Sequence, residues 1–545
     1  MPVRLGEGFG LEPEKVNGSD WALSVARISA DSNSDFIFAP HLRLIYRYAA
    51  DELIESLKSK LRAGNYVLGT PMTIEVPKAS RISVRSNPPR PGPNYTRPGS
   101  ILFPEDRLFY QFCADYALTV VEGKTDRARS FSHQIDYENP ESLFKSTRAC
   151  WADFQRAIKE YSDPDEIKYV MKIDIANFFG SINQHVLVNN LLDHGLSRDV
   201  VERLEVTLTS FTNSRSSRGI IQGIFPSDLI GNFYLEPFDR FMSDIGIQSA
   251  RYVDDIYIFF ESVNQAEETL KKIIPKLREL DLSLNEAKSK ILPKNVLTAE
   301  EPDLQELFDL AIAEIREQLD ENDFSTAYGF QEEWDWEDEG DDDDAKIHLE
   351  ATKSLFDSVN LYSGYEEEVE RFCIPLFIKA KSDYAIEHVI SSFDKRPSMA
   401  QIYCSYLGKF TDRDEVLAFL RSKVEDARLH DWQLMWVIGA FLQGRHHVDA
   451  DIVPVLRVFN DRDRHDAVRA IAAIFVGLHG DAIRRRSLFD NCADCTIYVQ
   501  AAIFYISLRK SDATSNNHRT QWVNRSTFNT LISKAWSNMK AKRPA

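Results

Sequence analysis

The segment RYVDDIYIFF, residues 251–260, constrains the fold more than any other part of this 545-residue chain. Two adjacent acids, Asp254 and Asp255, stand between runs of apolar residues. This pattern predicts a hairpin with two buried strands and an acidic turn. Neighbouring carboxylates in an apolar setting raise each other's pKa, and desolvation adds to the cost. A divalent cation would remove that cost, so we predict a metal site at this turn.

A third acid lies in residues 171–182, MKIDIANFFGSI, where Asp174 ends a short apolar strand. Its carboxylate can therefore project from the strand end into a cleft. Hard oxygen ligands favour Mg²⁺, which takes one or two carboxylates from the protein and its other ligands from water and substrate phosphates. With two ions about 3.5 to 4 Å apart, one activates an attacking hydroxyl and the other holds the leaving oxygens. The three acids thus indicate nucleotidyl transfer.

Between these segments lie residues 219–235, GIIQGIFPSDLIGNFYL. The order and content of the three segments resemble motifs A, B and C of reverse transcriptases. The resemblance implies that Asp174 and Asp254 bridge two Mg²⁺ ions, for which Mn²⁺ can substitute. It also implies that Asp255 supports the ions and that the backbone carbonyl of Ile175 is a further ligand.

The same resemblance assigns residues to the incoming nucleotide. Phe179, five residues beyond Asp174, falls at the steric-gate position, where an aromatic ring would clash with a ribose 2′-OH. The expected substrates are therefore dNTPs, although core packing is the alternative role for this ring. Gln222 and Gly223 match the family's Q-G pair near the nucleotide. The usual proline before that pair is replaced by Ile221, which affects only the local turn.

Matches continue on both sides of these motifs. VPK, RPGSI and EDRLFYQ follow the fingers pattern, in which Lys78 and Arg97 would contact the triphosphate. Downstream, LDLSLNEAKS at residues 280–289 matches motif D, where Lys288 would assist pyrophosphate departure; a solvated lysine is the alternative. The resemblance spans about residues 70–292.

Composition is that of a folded globular protein, with 43% hydrophobic and 27% charged residues. The net charge of -19 argues against nonspecific coating of nucleic acid, but much of the acidity lies in residues 332–344, EEWDWEDEGDDDD. The N-terminus lacks an apolar signal segment and no membrane-length apolar run stands out, so we expect a cytoplasmic protein. Cys492 and Cys495 form a single C-x-x-C pair and are expected to be ordinary helix residues.

Hydrophobic periodicity predicts the organisation of the chain. Residues 66–76 alternate as a strand, and the Pro-rich residues 87–98, NPPRPGPNYTRP, are expected to form a loop. After the acidic run, short amphipathic helices follow one another without a convincing strand. This region resembles a solenoid of HEAT-like helix pairs, with an irregular helical bundle as the alternative.

The predicted fold is an α+β right-hand polymerase with fingers and palm, followed by an all-α HEAT-like repeat domain. The predicted domains are an N-terminal helical extension (1–65), fingers (66–168), palm (169–295), a linker with the acidic run (296–349) and the helical repeats (350–545).

A palm and fingers joined to a helical repeat region are similar to bacterial abortive-infection and other defence-associated reverse transcriptases. That resemblance implies an anti-phage role, a homo-oligomer and, in some members, single-stranded DNA synthesis primed on a protein hydroxyl. Tyr46 and Tyr48 are candidate priming residues, with packed aromatic side chains as the alternative. Two other hypotheses are copying of a bound noncoding RNA, and a non-catalytic nucleic-acid scaffold whose helical region binds a partner. No membrane partner is expected.

Overall fold

The computed structural model describes residues 7–85, 90–212, 216–296, 307–308, 311–312, 342–359, 364–443 and 449–542. The chain divides into two compact units. Unit 1 contains residues 1–35, 49–72 and 100–301, and unit 2 contains residues 36–48, 73–99 and 302–545. Residues 36–48 and 73–99 thus group with the C-terminal helices in unit 2, and the five predicted domains stay a prediction.

The described residues contain six strands: β1 (Met72–Val84), β2 (Arg90–Ile101), β3 (Tyr169–Asp174), β4 (Ser249–Tyr252), β5 (Asp255–Phe260) and β6 (Lys290–Pro293). Strands β3 to β6 form an antiparallel sheet in unit 1 with the order β4, β5, β3, β6. The central strands, β3 and β5, are the two apolar runs that carry the predicted acids. Buried strands with near-continuous apolar sequence suit the middle of a sheet that is covered by helices.

The helices of unit 1 precede, interrupt and follow this sheet. They are Pro13–Gly18, Trp21–Asp31, Ala50–Ala63, Pro104–Lys124, Thr147–Ser162, Phe178–Ser181, Gln184–Asp193, Arg198–Phe211, Phe225–Tyr234, Glu236–Asp244 and Val263–Glu279. Thr147–Ser162 covers one face of the sheet through a cluster of apolar side chains. The members of that cluster are Phe131, Phe154, Ala157, Ile158, Val170, Ala250, Tyr257 and Phe259. This cluster packs against β3, β4 and β5, the strands that lead to the acids.

A buried ion-pair cluster joins two helices of unit 1. The Arg107 guanidinium lies 2.7 Å from a carboxylate oxygen of Asp31 and 2.7 Å from one of Asp35. All three side chains are almost completely buried. Burial raises the pKa of Asp31 to about 6, an effect that Arg107 opposes. The cluster therefore depends on its single cation to offset two desolvated carboxylates.

The described helices of unit 2 form a largely helical array. They are Pro40–Tyr48, Asp342–Asp357, Glu366–Lys379, Ile386–Ser392, Ala400–Leu407, Asp414–Val424, Asp431–Gln443, Asp449–Asn460, Asp466–His479, Ala482–Asp490, Ile497–Arg509, Ala513–Trp522 and Thr527–Lys542.

Packing in this array follows a pattern in which a helix contacts the next but one along the chain. Glu366–Lys379, Ala400–Leu407, Asp431–Gln443, Asp466–His479, Ile497–Arg509 and Thr527–Lys542 contact one another in that order. A second row contains Ile386–Ser392, Asp414–Val424 and Asp449–Asn460, again in succession. Two rows of alternating helices are the arrangement that stacked helix pairs produce.

The predicted loop at residues 87–98 was wrong for its greater part, because β2 begins at Arg90 and pairs with β1 in a two-stranded ribbon. Proline is tolerated in such a ribbon because alternate backbone N–H groups face away from the partner strand. Gly92 explains the close pairing. A Cβ atom at this position would lie 2.0 Å from the carbonyl oxygen of Ile82, so only glycine fits.

The predicted acidic linker lies mostly outside the described residues, although the helix Asp342–Asp357 begins within the acidic run. Cys492 and Cys495 are buried free thiols. In the described part of the chain, no helix has both the length and the hydrophobicity needed to span a bilayer.

Candidate active site

The predicted acidic hairpin is present, and its turn consists of Val253 and Asp254. Tyr252 pairs with Asp255 across the turn. Val253 has a φ of +56°, a left-handed conformation that β-branched residues rarely adopt. Tyr252 anchors the hairpin, since its ring packs edge-on against Trp151 at a centroid distance of 5.0 Å. The turn is thus both tight and strained.

Asp174 and Asp255 lie directly opposite each other in the register of β3 and β5. Asp174 is the last residue of β3, and Asp255 is the first residue of β5. Asp254 immediately precedes Asp255 in the turn. The antiparallel pairing therefore brings the three predicted acids to one corner of the sheet, as expected from the apolar segments that flank them.

Two residues of the segment before β6 contact the Asp174 carboxylate. Asn285 Nδ2 donates a hydrogen bond to Asp174 Oδ1 at 2.7 Å. Lys288 Nζ lies 3.3 Å from Asp174 Oδ2, and its side chain is largely exposed. The sequence pointed to Lys288 but not to Asn285. The only signal for Asn285 was its place in the motif D segment, three residues before the lysine.

The surroundings of Asp254 favour the protonated, uncharged form of its carboxyl group. The pKa of Asp254 is raised to about 7, chiefly by burial and also by the nearby charges of Asp255 and Asp174, while Lys288 acts in the opposite direction. Like charges and desolvation both disfavour the ionised form. A cation at this corner would reverse the effect.

The donor set fits Mg²⁺ in its chemistry. Two carboxylates at facing strand ends and a third in the adjoining turn lie together, and a divalent ion would offset the burial and the repulsion that raise the pKa of Asp254. Ile175, which follows Asp174, forms a bridge with Leu284 and has a buried side chain, so only its backbone could take part. Among the described residues, no group of three or more His, Cys, Asp or Glu side chains is arranged so that it could hold a metal ion as it stands.

Phe179 lies half-buried on the short helix Phe178–Ser181, next in the chain to β3. Its ring packs edge-on against Phe178 at a centroid distance of 5.3 Å. Gly231 makes room for it, because a Cβ there would lie 3.0 Å from Phe179 Cε1. The ring therefore packs against the helix Phe225–Tyr234.

Gln222 and Gly223 form the turn before that helix. Gly223 has a φ of +80°, so this position favours glycine over other residues. Ile221, which stands in the place of the usual proline, is buried. The local turn therefore forms without the proline.

The predicted triphosphate contacts, Lys78 and Arg97, belong to unit 2, whereas the three acids belong to unit 1. The Arg97 guanidinium lies over the ring of Phe36 at 4.9 Å. Burial and the charge of Arg371 lower the pKa of Arg97. The Lys78 carbonyl accepts a hydrogen bond from Asn94 Nδ2 at 2.7 Å. Contact of either side chain with a triphosphate stays a prediction.

The candidate priming residues also belong to unit 2, on the helix Pro40–Tyr48. Tyr46 is 5% exposed, which favours a packing role for its ring. Tyr48 is half-buried. Of the two hydroxyls, that of Tyr48 remains the better candidate for priming.

Comparison with known families agrees with this geometry. Residues 111–299 match the family described as reverse transcriptase (RNA-dependent DNA polymerase). This part of the chain is a reverse transcriptase domain. The match begins at Gln111 and includes all three acids, Phe179 and Lys288. This region therefore carries a domain of the nucleotidyltransferase class of enzymes.

Solved structures with partial similarity include telomerases of Candida. Apo telomerase of Candida tropicalis truncated from the C-terminal domain has 12% identity over 44% of this chain and 54% of its own, with a TM-score of 0.28. The chain thus spans about half of that protein. Telomerase of Candida albicans with a fragment of telomeric RNA has 11% identity over 77% of this chain and 70% of its own, with a TM-score of 0.30. Similarity this weak carries no functional argument. No curated protein matches the chain.

Proposed function

We propose that this chain is a DNA polymerase that adds dNTPs by two-metal nucleotidyl transfer. One observation supports this proposal above all others. Asp174, Asp254 and Asp255 converge at one corner of the sheet inside the reverse transcriptase domain. A chain that needed only the fold would have no reason to keep three mutually repelling acids together in an apolar setting.

In this mechanism Asp174 and Asp254 would hold two Mg²⁺ ions, Asp255 would support them, and the Ile175 carbonyl would add a ligand. When bound, the ions supply activation of the attacking hydroxyl and stabilisation of the leaving pyrophosphate. Asn285 holds Asp174 Oδ1 in a fixed direction. Phe179 excludes a ribose 2′-OH, while Gln222 and Gly223 line the nucleotide. Lys288, which is exposed and 3.3 Å from Asp174, supplies positive charge near the departing pyrophosphate.

An incorporation assay tests this function. Purified protein with Mg²⁺ or Mn²⁺ and labelled dNTPs should yield polymer, and chelation should stop it. The double change Asp254→Ala and Asp255→Ala should abolish synthesis. A matched control is Asp165→Asn, which alters an exposed acid outside the sheet. Persistent synthesis by the double variant would disprove the site assignment.

The choice of template separates two candidate activities. The family description, RNA-dependent DNA polymerase, favours copying of RNA, so a bound noncoding RNA is the second candidate. Protein-primed synthesis without a template is the first. Synthesis should survive nuclease pretreatment if no template is needed, and should be lost if a copurified RNA is copied. Sequencing the product decides whether it matches that RNA.

The biological role that we propose is anti-phage defence by abortive infection, with the chain acting as a homo-oligomer. Its support is the helical unit that accompanies the polymerase domain, in two rows that suit HEAT-like repeats. Expression in a bacterial host should reduce phage plating, and the double aspartate variant should not. Equal protection by that variant would instead favour a scaffold whose helical unit binds a partner.

Protein priming has its own test. The DNA product should stay attached to the chain after denaturation and be released by protease. Tyr48→Phe should abolish that attachment, with Tyr46→Phe as the comparison. Attachment that persists in both variants would exclude these two residues.

A further inference from the structure

A buried polar network contacts the turn formed by Val253 and Asp254, and Arg251 is its centre. The guanidinium is 1% exposed, and its Nε and Nη2 donate to the Asp239 carboxylate at 2.9 and 2.7 Å. Nη1 donates to Asn232 Oδ1, and Nη2 donates to the Asn232 carbonyl oxygen at 3.0 Å. A planar guanidinium bound to several acceptors has one permitted orientation.

This network reaches the turn at Val253. Arg251 Nη1 donates to the Val253 carbonyl oxygen at 3.3 Å. On the other side, the Val253 backbone N–H donates to Ser132 Oγ at 3.0 Å. Both polar groups of the left-handed residue are therefore occupied by buried partners. Strained backbone conformations persist only where the surroundings fix them in this way.

Ser132 is itself held in place. The Arg251 backbone N–H donates to the Arg129 carbonyl oxygen at 2.7 Å, and the Phe131 N–H donates to the Arg251 carbonyl oxygen at 3.1 Å, so this segment runs along β4. Ser132 Oγ donates to Asn232 Oδ1 at 3.2 Å and is completely buried. A hydroxyl group has one donor and two acceptor sites, so it can serve Asn232 and Val253 together.

We propose that Ser132 and Arg251 are positioning residues for the metal-binding acids. They keep Val253 left-handed, and this backbone geometry sets the directions of the Asp254 and Asp255 carboxylates. Both residues act through their hydrogen bonds to Val253. The inference rests on the proposed polymerase function, because it assigns a purpose to the geometry of that site.

Ser130 provides a matched control. Its hydroxyl is as completely buried as that of Ser132 and donates to the same atom, Asn232 Oδ1, at 3.1 Å. Of these two serines, Ser132 is the one whose hydroxyl accepts the hydrogen bond from the Val253 backbone N–H. Comparing Ser132→Ala with Ser130→Ala therefore separates loss of a network bond from loss of the bond to the turn. Ser132→Cys is a second variant that keeps the size and weakens the hydrogen bond.

The experiment measures Mn²⁺ binding by calorimetry, the kcat and KM of dNTP incorporation and thermal unfolding for the full-length chain. We expect Ser132→Ala and Ser132→Cys to weaken Mn²⁺ binding and lower kcat about fivefold or more, since one buried hydrogen bond is lost. KM for dNTPs should change less than kcat. Ser130→Ala should unfold at a temperature similar to that of Ser132→Ala, but it should bind Mn²⁺ almost as tightly as the unaltered chain.

Two reference results keep the outcomes distinct. If the unaltered chain neither binds Mn²⁺ nor incorporates dNTPs, the proposed function fails. If the unaltered chain does both and Asp254→Ala does neither, the function stands. The positioning role is then overturned on its own if the Ser132 variants match Ser130→Ala in metal binding and kcat.

Discussion

Asn285 holds Asp174 at two points. Its side-chain Nδ2 donates to Asp174 Oδ1 at 2.7 Å, and its backbone N–H donates to the Asp174 carbonyl oxygen at 2.8 Å. The segment before β6 is thereby fastened to the end of β3. The direction of the Asp174 carboxylate is consequently fixed by a residue 111 positions away in the chain.

Asn285→Ala should lower kcat about tenfold, because a small misplacement of a metal ligand is costly. The backbone bond remains in this variant, so unfolding temperature should change little. Steady-state dNTP incorporation measures the effect. Asn264→Ala, which alters an exposed asparagine, is the control and should behave as the unaltered chain. Equal kcat for the two variants would contradict the role of Asn285.

Phe179→Ala should admit ribonucleotides. Removal of the ring opens space for the 2′-OH, so the ratio of rNTP to dNTP incorporation should rise about tenfold. Competition between a dNTP and its rNTP on the same primer measures this ratio. Phe179→Tyr retains the ring and should retain selectivity. An unchanged ratio in Phe179→Ala would leave core packing as the role of this residue.

Gly231→Ala tests the support of the same ring from the helix side. The new Cβ would lie 3.0 Å from Phe179 Cε1 and 3.5 Å from Ile220 Cδ1, so ring or helix must shift. We expect kcat/KM for dNTPs to fall about fivefold, since nucleotide-binding geometry tolerates little displacement. Gly123→Ala is the control, because nothing lies within 4 Å of a Cβ there. Full activity of Gly231→Ala would show that the ring is not held against this helix.

Asp254→Asn should stabilise the metal-free protein at alkaline pH. The folded-state pKa of Asp254 is about 7 against an ordinary 3.8, because burial and neighbouring acids disfavour its charge. The folded state therefore binds the proton more tightly, and stability falls as pH rises from about 4 to 7. With chelator present, the variant should unfold about 2 °C or more above the unaltered chain at pH 8.

That difference should shrink as the pH falls towards 4, because Asp254 is then protonated in the folded state and about half protonated in the unfolded state. Asp165→Asn, which alters an exposed acid outside the sheet, serves as the control for the substitution itself. A gain for Asp254→Asn that is the same at both pH values would mean that the carboxyl charge is not its source.

Arg107→Met should destabilise unit 1 strongly. The change leaves the buried carboxylates of Asp31 and Asp35 without their cation, and loss of one partner of a buried ion pair costs about 3 to 5 kcal/mol. Denaturant unfolding measures this cost. Arg62→Met breaks an exposed pair with Glu55 and should cost less than about 1 kcal/mol. Similar costs for both would show that the cluster contributes no more than a surface pair.

The acids could be predicted from the sequence because each lies within a short, strongly apolar segment that is visible without knowledge of distant contacts. Carboxylates within such strands must lie at a turn or a strand end, and this rule applies to both Asp174 and Asp254. Asn285 and Ser132 could not be predicted in this way. Their roles depend on pairing between distant segments, and Asn and Ser occur commonly in ordinary turns.

For the ribbon formed by β1 and β2, the sequence predicted the wrong structure. Proline density at residues 87–98 predicted a loop, yet β2 forms because a two-stranded ribbon has outward-facing positions that need no N–H donor. Its assignment to unit 2 depends on contacts hundreds of residues away, such as the bond between His465 Nε2 and the Thr73 carbonyl oxygen. Local propensity holds no information about such contacts.

The grouping of β1 and β2 with unit 2 affects how this protein can be divided. A recombinant fragment ending at Glu301 would contain the whole matched family region but would leave the ribbon without His465 and the other helical residues that it packs against. The same constraint applies to the exchange of domains during evolution. The C-terminal helices cannot be exchanged as an independent cassette unless the replacement also accommodates a ribbon encoded more than 200 residues earlier.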